Sequence, residues 1–187
     1  MPADISEYGP QFGAGAAGWR RAALGGWAWA AAAVLAVLGL SGLAPWAGAH
    51  GHEALAAAVY KGFSAACHQM PERSFHLWGL PLAVCARCAG LYVGAAAGVL
   101  LYPLARDLSR RDAPARGWLL WAALPTSVDF ALGLFGIWEN THLSRFLTAL
   151  VLGGAAAFYV VPAAVGLSCT RLARRSDGRA AAGVGPA

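Results

Sequence analysis

Residues 146–170 read FLTALVLGGAAAFYVVPAAVGLSCT, 25 positions without one charged side chain. A helix needs about 20 apolar residues to cross the hydrocarbon core of a bilayer, so this run sets the class of the chain. Three more runs resemble it. Residues 22–49 and 89–105 are uncharged, and 117–138 is interrupted only by Asp129. The sequence therefore predicts an all-α integral membrane bundle of four transmembrane helices, with spans about 22–45, 81–104, 117–137 and 146–168, and a short external or interfacial helix. The membrane domain is expected over 19–175, between two disordered cytoplasmic tails at 1–18 and 176–187.

Composition points the same way. The 187 residues are 58% hydrophobic, and mean hydropathy is +0.52. Charged residues make up 12%, about half the share in a soluble domain. Tryptophan anchors helices at membrane interfaces and glycine lets them approach closely; there are eight of the first and 24 of the second. The net charge of +5 does not mark a nucleic-acid partner, because the basic residues sit in short clusters between apolar runs. Arg20 and Arg21 precede the first run. Arg106, Arg110, Arg111 and Arg116 separate the second from the third. Arg171, Arg174, Arg175 and Arg179 follow the fourth. The other two connections hold only Lys61, Arg73 and Arg145. The positive-inside rule then predicts a multi-pass protein of the cell membrane with both termini cytoplasmic. A cleaved signal peptide competes for the first run, since Arg20-Arg21, an apolar stretch and Ala47-Gly48-Ala49 imitate its three regions. The run is longer than the 7–15 residues typical of a signal core, so a retained helix is expected.

Between the first two spans lies a polar stretch: Cys67-His68-Gln69, then Pro71-Glu72-Arg73-Ser74-Phe75, then Cys85-Ala86-Arg87-Cys88-Ala89-Gly90. Such groups close to lipid are expensive and functional by default. Upstream, Leu55, Val59, Phe63 and Cys67 recur at i, i+4, which predicts a short helix over 53–66 with Cys67 at the end of its apolar stripe. Pro71 breaks that helix, and Pro81 marks the turn into the second span. Cys85 and Cys88 are one turn apart and Tyr92 continues their face. Gly90, Gly94 and Gly98 form a ridge of small residues for tight helix packing. In the third span Asp129 lies about two turns from the outer end, within reach of Arg145 at the start of the fourth, so an Asp129–Arg145 ion pair is expected.

The blocks Cys-His-Gln, Pro-Glu-Arg-Ser-Phe and Cys-Ala-Arg-Cys-x-Gly-x-Tyr-x-Gly over Cys67–Gly94 resemble a family of predicted bacterial and archaeal membrane proteins, catalogued as domain of unknown function 2085. Leu124-Pro125 with Asp129, then Arg145, Thr148 and Gly153, resemble its later signature. Ala89 and Ala149 stand where the family pattern has Thr and Gly. The resemblance implies a polytopic membrane protein and brings no activity, so the site is argued from its chemistry.

Cys67, His68, Cys85 and Cys88 are the ligand types of a tetrahedral zinc centre, and Cys-x-x-Cys has the usual spacing. Copper(I) also suits soft ligands. With four protein ligands the site is closed and structural. With three, one position stays open, and Glu72, His68 or Asp129 could act as general base in a hydrolysis. Arg73, Arg87 and Arg145 suit an anionic lipid or small anionic substrate; Glu72, Arg73, Asp129 and Arg145 are the candidate catalytic residues. The other readings are thiol–disulfide chemistry, with Cys67 as partner to Cys85 and Cys88, and a small transporter or scaffold subunit, which the absence of an internal repeat disfavours. A c-type haem is disfavoured because Ala89, not histidine, follows Cys88. His50 and His52 read as a solvated loop, His76 and His142 as surface histidines, and Cys169 as a small buried apolar residue. Oligomeric state is not written in the sequence.

Overall fold

The computed structural model describes residues 16–108, 110 and 112–183, with side chains as far as Arg174. Arg111, most of the tail expected over 1–18 and the side chains of that expected over 176–187 lie outside the described residues. The described residues form five α-helices: α1 (Ala16–Ala49), α2 (Glu53–Ser64), α3 (Ala86–Ala105), α4 (Arg116–Leu134) and α5 (His142–Gly183). All but α2 contain a stretch long and apolar enough to cross a membrane. At 12 residues, α2 is too short to do so. The molecule is an all-α membrane bundle.

Helix α3 starts later than the apolar pattern predicts. Leu80 and Pro81 form a strand, β2 (Leu80–Pro81), antiparallel to β1 (His76–Leu77). The two residues between them, Trp78 and Gly79, have φ of 54° and 79°, the left-handed pair that a two-residue hairpin needs. Pro81 accordingly closes a hairpin and does not open the helix. Helix α5 starts earlier than predicted. Thr141 Oγ1 accepts the Ser144 N–H at 3.1 Å, an N-cap that fixes the first turn.

Helices α3 and α5 run parallel and are in contact along their length. A Cβ on Gly90 would strike the carbonyl of Phe146, and one on Gly94 the carbonyl of Leu150. Gly98 faces Gly154 and Ala157, and Gly153 faces the Leu91 carbonyl in return. The ridge read from the sequence is thus the seam that lets two backbones touch. Helix α1 lies antiparallel across them, with Gly26 against the backbone of Ala164 and Val165 and the Trp27 indole N–H donating to the Val99 carbonyl at 2.7 Å. A core of Ala30, Val99, Tyr102, Val161, Val165 and Cys169 fills one end. The other end is closed by a second core around Cys67, Val84 and Ala89. Helix α4 packs on α5, and among its described residues the one buried side chain is Asp129. Its Trp118, Leu120, Trp121 and Phe130 are exposed, where lipid would solvate them.

Candidate metal centre

After α2 the chain turns back on itself. The Cys67 N–H donates to the Phe63 carbonyl at 2.9 Å. Gln69, with a left-handed φ of 51°, swings its amide so that Nε2 donates to the carbonyls of Tyr60 and Ala83, 2.8 Å each. That one side chain ties the end of α2 to the segment entering α3. The Tyr60 hydroxyl adds a 2.6 Å bond to the Pro81 carbonyl. Cys67 is thereby held over the start of α3, where its sulfur accepts the Cys85 N–H at 3.2 Å.

Cys85 is the N-cap of α3 and so lies just outside the helix, whereas Cys88 lies in its first turn. Their sulfurs nevertheless converge with that of Cys67, all three within 4.8 Å of one another. A tetrahedral ion with bonds of about 2.3 Å sets its sulfurs about 3.8 Å apart, so the cluster fits a metal with small side-chain adjustment. None of the four cysteines is in a disulfide. The walls are apolar: Phe63, Phe75, Tyr92 and Phe146 pack around the sulfurs, and the low local dielectric strengthens charge–charge bonding there. The Cys85 thiol is pushed down to about 5. The hydrogen bond from the Cys88 thiol is the main cause; burial opposes it, and the N–H groups of Cys88 and Arg87 at the helix N-terminus assist. A helix N-terminus favours a thiolate for this reason.

The remaining predicted residues fall into three places. His68 is exposed and outside the sulfur group, because the turn that buries Cys67 points its neighbour outward. Glu72 and Arg73 are exposed on a 3-10 turn, Pro71–Arg73. Asp129 is 8% exposed, but its partner is Arg87 and not Arg145. The Arg87 guanidinium meets the carboxylate at 2.7 Å, and the Ser144 hydroxyl donates to it at 2.9 Å. Asn140 donates to the Asp129 main-chain carbonyl. Arg87 also lies over the Phe130 ring, 5.2 Å from its centroid. Arg87 takes the place expected for Arg145 because it projects from the first turn of α3 toward α4, where it reaches both the Asp129 carboxylate and the Phe130 ring.

Sequence reading understated Arg87, and missed Ser144 and Asn140. A signal for Arg87 existed. A cation in the first turn of a helix opposes the macrodipole, so it calls for a carboxylate elsewhere. His142 is half-buried against Phe75, ring centroids 5.7 Å apart, and is not the surface residue expected. His50 and His52 are exposed and stack on Trp46. Cys169 is buried in the far core.

No solved structure matches the chain. An uncharacterised protein of Methanocaldococcus jannaschii is 38% identical over 104 residues, 56% of this chain and 67% of that protein. Another, of Methanothermobacter thermautotrophicus, is 36% identical over 87 residues, 46% of this chain and 77% of that protein. The family match runs over residues 67–159, so it opens on the first cysteine of the cluster and takes in Arg87, Asp129 and Arg145. The seam, the cluster and the Arg87–Asp129 pair all fall inside that span, and the chain belongs to the family described as Predicted membrane protein (DUF2085).

Proposed function

We propose that this protein binds a zinc ion through Cys67, Cys85 and Cys88 at the outer face of the cell membrane, with both termini in the cytoplasm. The observation that carries the reading is the meeting of three thiols from two chain segments within 4.8 Å. Sulfurs this close let one ion take all three as ligands at once. Copper(I) would accept the same soft ligands, and metal analysis separates the two ions. Cys67, Cys85 and Cys88 would hold the ion as thiolates, and a bound ion would supply Lewis acidity for hydrolysis. In this reading Glu72, exposed on the Pro71–Arg73 turn and in no ion pair among the described residues, serves as general base for hydrolysis. Arg73 and Arg145 receive an anionic substrate, and Asp129 is a positioning residue that holds Arg87.

The test is metal content per chain, with a free-thiol count, on protein purified in detergent without chelator. About one zinc per chain is expected, lost from Cys67→Ser, Cys85→Ser and Cys88→Ser and kept in Cys169→Ser. His68→Ala should keep its metal, because that side chain points away from the sulfurs. Equal loss in Cys88→Ser and Cys169→Ser would sink the assignment. No metal, with two thiols missing until reductant is added, would replace it with the disulfide reading.

A further inference from the structure

Beside the thiols, positive charge is left over. Arg87 is paired with Asp129, but among the described residues neither Arg73 nor Arg145 has a carboxylate within ion-pair distance. Ser144, the neighbour of Arg145, donates to the same carboxylate that Arg87 meets, and His142, one turn before Arg145, lies against Phe75, two residues past Arg73. Three guanidinium groups, from the Pro71–Arg73 turn, α3 and α5, therefore come to one end of the bundle, where Asp129 is the one buried carboxylate among the described residues. Crowded like charges at a partly buried site are costly unless something negative completes them.

Unpartnered nitrogens mark the same neighbourhood. Nε of Arg87, Nε of Arg145 and Nε2 of His142 are buried without a hydrogen-bond partner, whereas buried polar atoms normally have one. His142 is one turn before Arg145, and its ring rests on Phe75, two residues past Arg73. Phe75 in turn packs on the sulfur cluster.

We propose that Arg145, with Arg73 and Arg87, holds a phosphate group next to the thiol centre. A carboxylate is satisfied by one guanidinium fork. Donors arriving from three elements match the terminal oxygens of a phosphomonoester or of phosphate itself. The group can come from a lipid headgroup or from a soluble compound. Trp78 and Trp138, both exposed on loops at this end, place the site at the depth where headgroups lie. The phosphate site adjoins the proposed zinc site, deepening that reading, yet each can fail alone.

The test uses the full chain with its metal, in a maltoside detergent, which carries no phosphate. Calorimetric titration is run with inorganic phosphate, with short-chain phosphatidic acid, and with short-chain phosphatidylcholine as a diester control. Saturable binding is expected from phosphatidic acid, weakened at least tenfold in Arg145→Gln and less in Arg145→Lys, with metal content unchanged. Binding of inorganic phosphate as well would show that the free group suffices; binding of phosphatidic acid alone would assign a lipid-borne group. No binding of either, unchanged affinity in Arg145→Gln, or equal affinity for phosphatidylcholine overturns the proposal. If Arg145→Gln does not fold, Arg73→Gln on the exposed turn takes its place: weakened binding supports the site and unchanged binding overturns it. Phosphate binding by protein that carries no metal would sink the zinc reading and leave this one standing.

Discussion

Cys85 and the start of α3 alter one another. The Cys88 thiol donates to the Cys85 sulfur, the N–H groups of Cys88 and Arg87 assist, and the sulfur, as thiolate, answers the positive end of the helix. The sign of the pH effect follows. The thiol falls from 9.0 to about 5, so in metal-free protein its charge stabilises the fold in full above pH 9. That contribution shrinks as the pH falls and is gone below about 5. Alkylation of the metal-free protein, followed at the Cys85 peptide by mass spectrometry, should be nearly independent of pH between about 6.5 and 8.5. An ordinary thiol would speed up about tenfold per pH unit over the lower part of that range. A tenfold slope at Cys85 would mean that neither the Cys88 thiol nor the helix N-terminus holds it as a thiolate. The three sulfurs were legible in the sequence because Cys-x-x-Cys and a third cysteine in one polar stretch have few other uses near lipid. His68 misled because adjacency in sequence says nothing of direction. The left-handed bend at Gln69 turns one side chain inward and the next outward, and that bend is fixed by Tyr60 and Ala83, far away in sequence.

Helices α3 and α5 are the rigid frame that carries the site. Cys85, Arg87 and Cys88 come from the first turn of one, and Ser144, Arg145 and Phe146 from the first turns of the other. Because both run in the same direction, their N-termini and their site residues lie side by side. Separation of the helices would therefore pull the arginines away from the thiols. The small-residue ridge was readable from its spacing; its partner was not, since helices α1 and α4 are equally apolar. The hairpin at 76–81 was hidden by the apolar character of Leu77, Trp78, Leu80 and Leu82, which extends the helical pattern backward. Gly94→Leu should lower the stability of the detergent-solubilised protein by about 3 kcal/mol, the upper range for overpacking, because the carbonyl of Leu150 occupies the space. Gly39→Leu on α1, which meets nothing within 4 Å, should be neutral or slightly stabilising. Thermal melting followed by size-exclusion chromatography compares the two. Equal melting temperatures would mean that the seam is looser than the backbone contacts imply.

At the scale of the molecule, the four spans follow from composition alone, because nothing but lipid can accommodate so much exposed apolar surface on α4 and α5. What composition leaves to the flanks is direction. Arg106, Arg110 and Arg116 lie at the end of the bundle away from the thiols, while the thiol end carries the half-buried Arg87 and Arg145 and the exposed Arg73. Arg87 is neutralised by Asp129 and held within the bundle, so it contributes little to an orientation signal that acts on solvated loops. Alkaline phosphatase is active only outside the cytoplasm, so fusions truncated at Asp112 and at Glu139 in a bacterial host distinguish the two orientations. Activity is expected after Glu139 and not after Asp112. The reverse pattern would keep the four-span bundle but turn the cluster toward the reducing cytoplasm. Thiols there stay reduced without a metal, whereas three neighbouring thiols facing an oxidising space are protected from disulfide formation when an ion holds them. The orientation experiment therefore also weighs the need for a metal. Its expected outcome makes an occupied centre the condition under which Cys67, Cys85 and Cys88 remain unbridged.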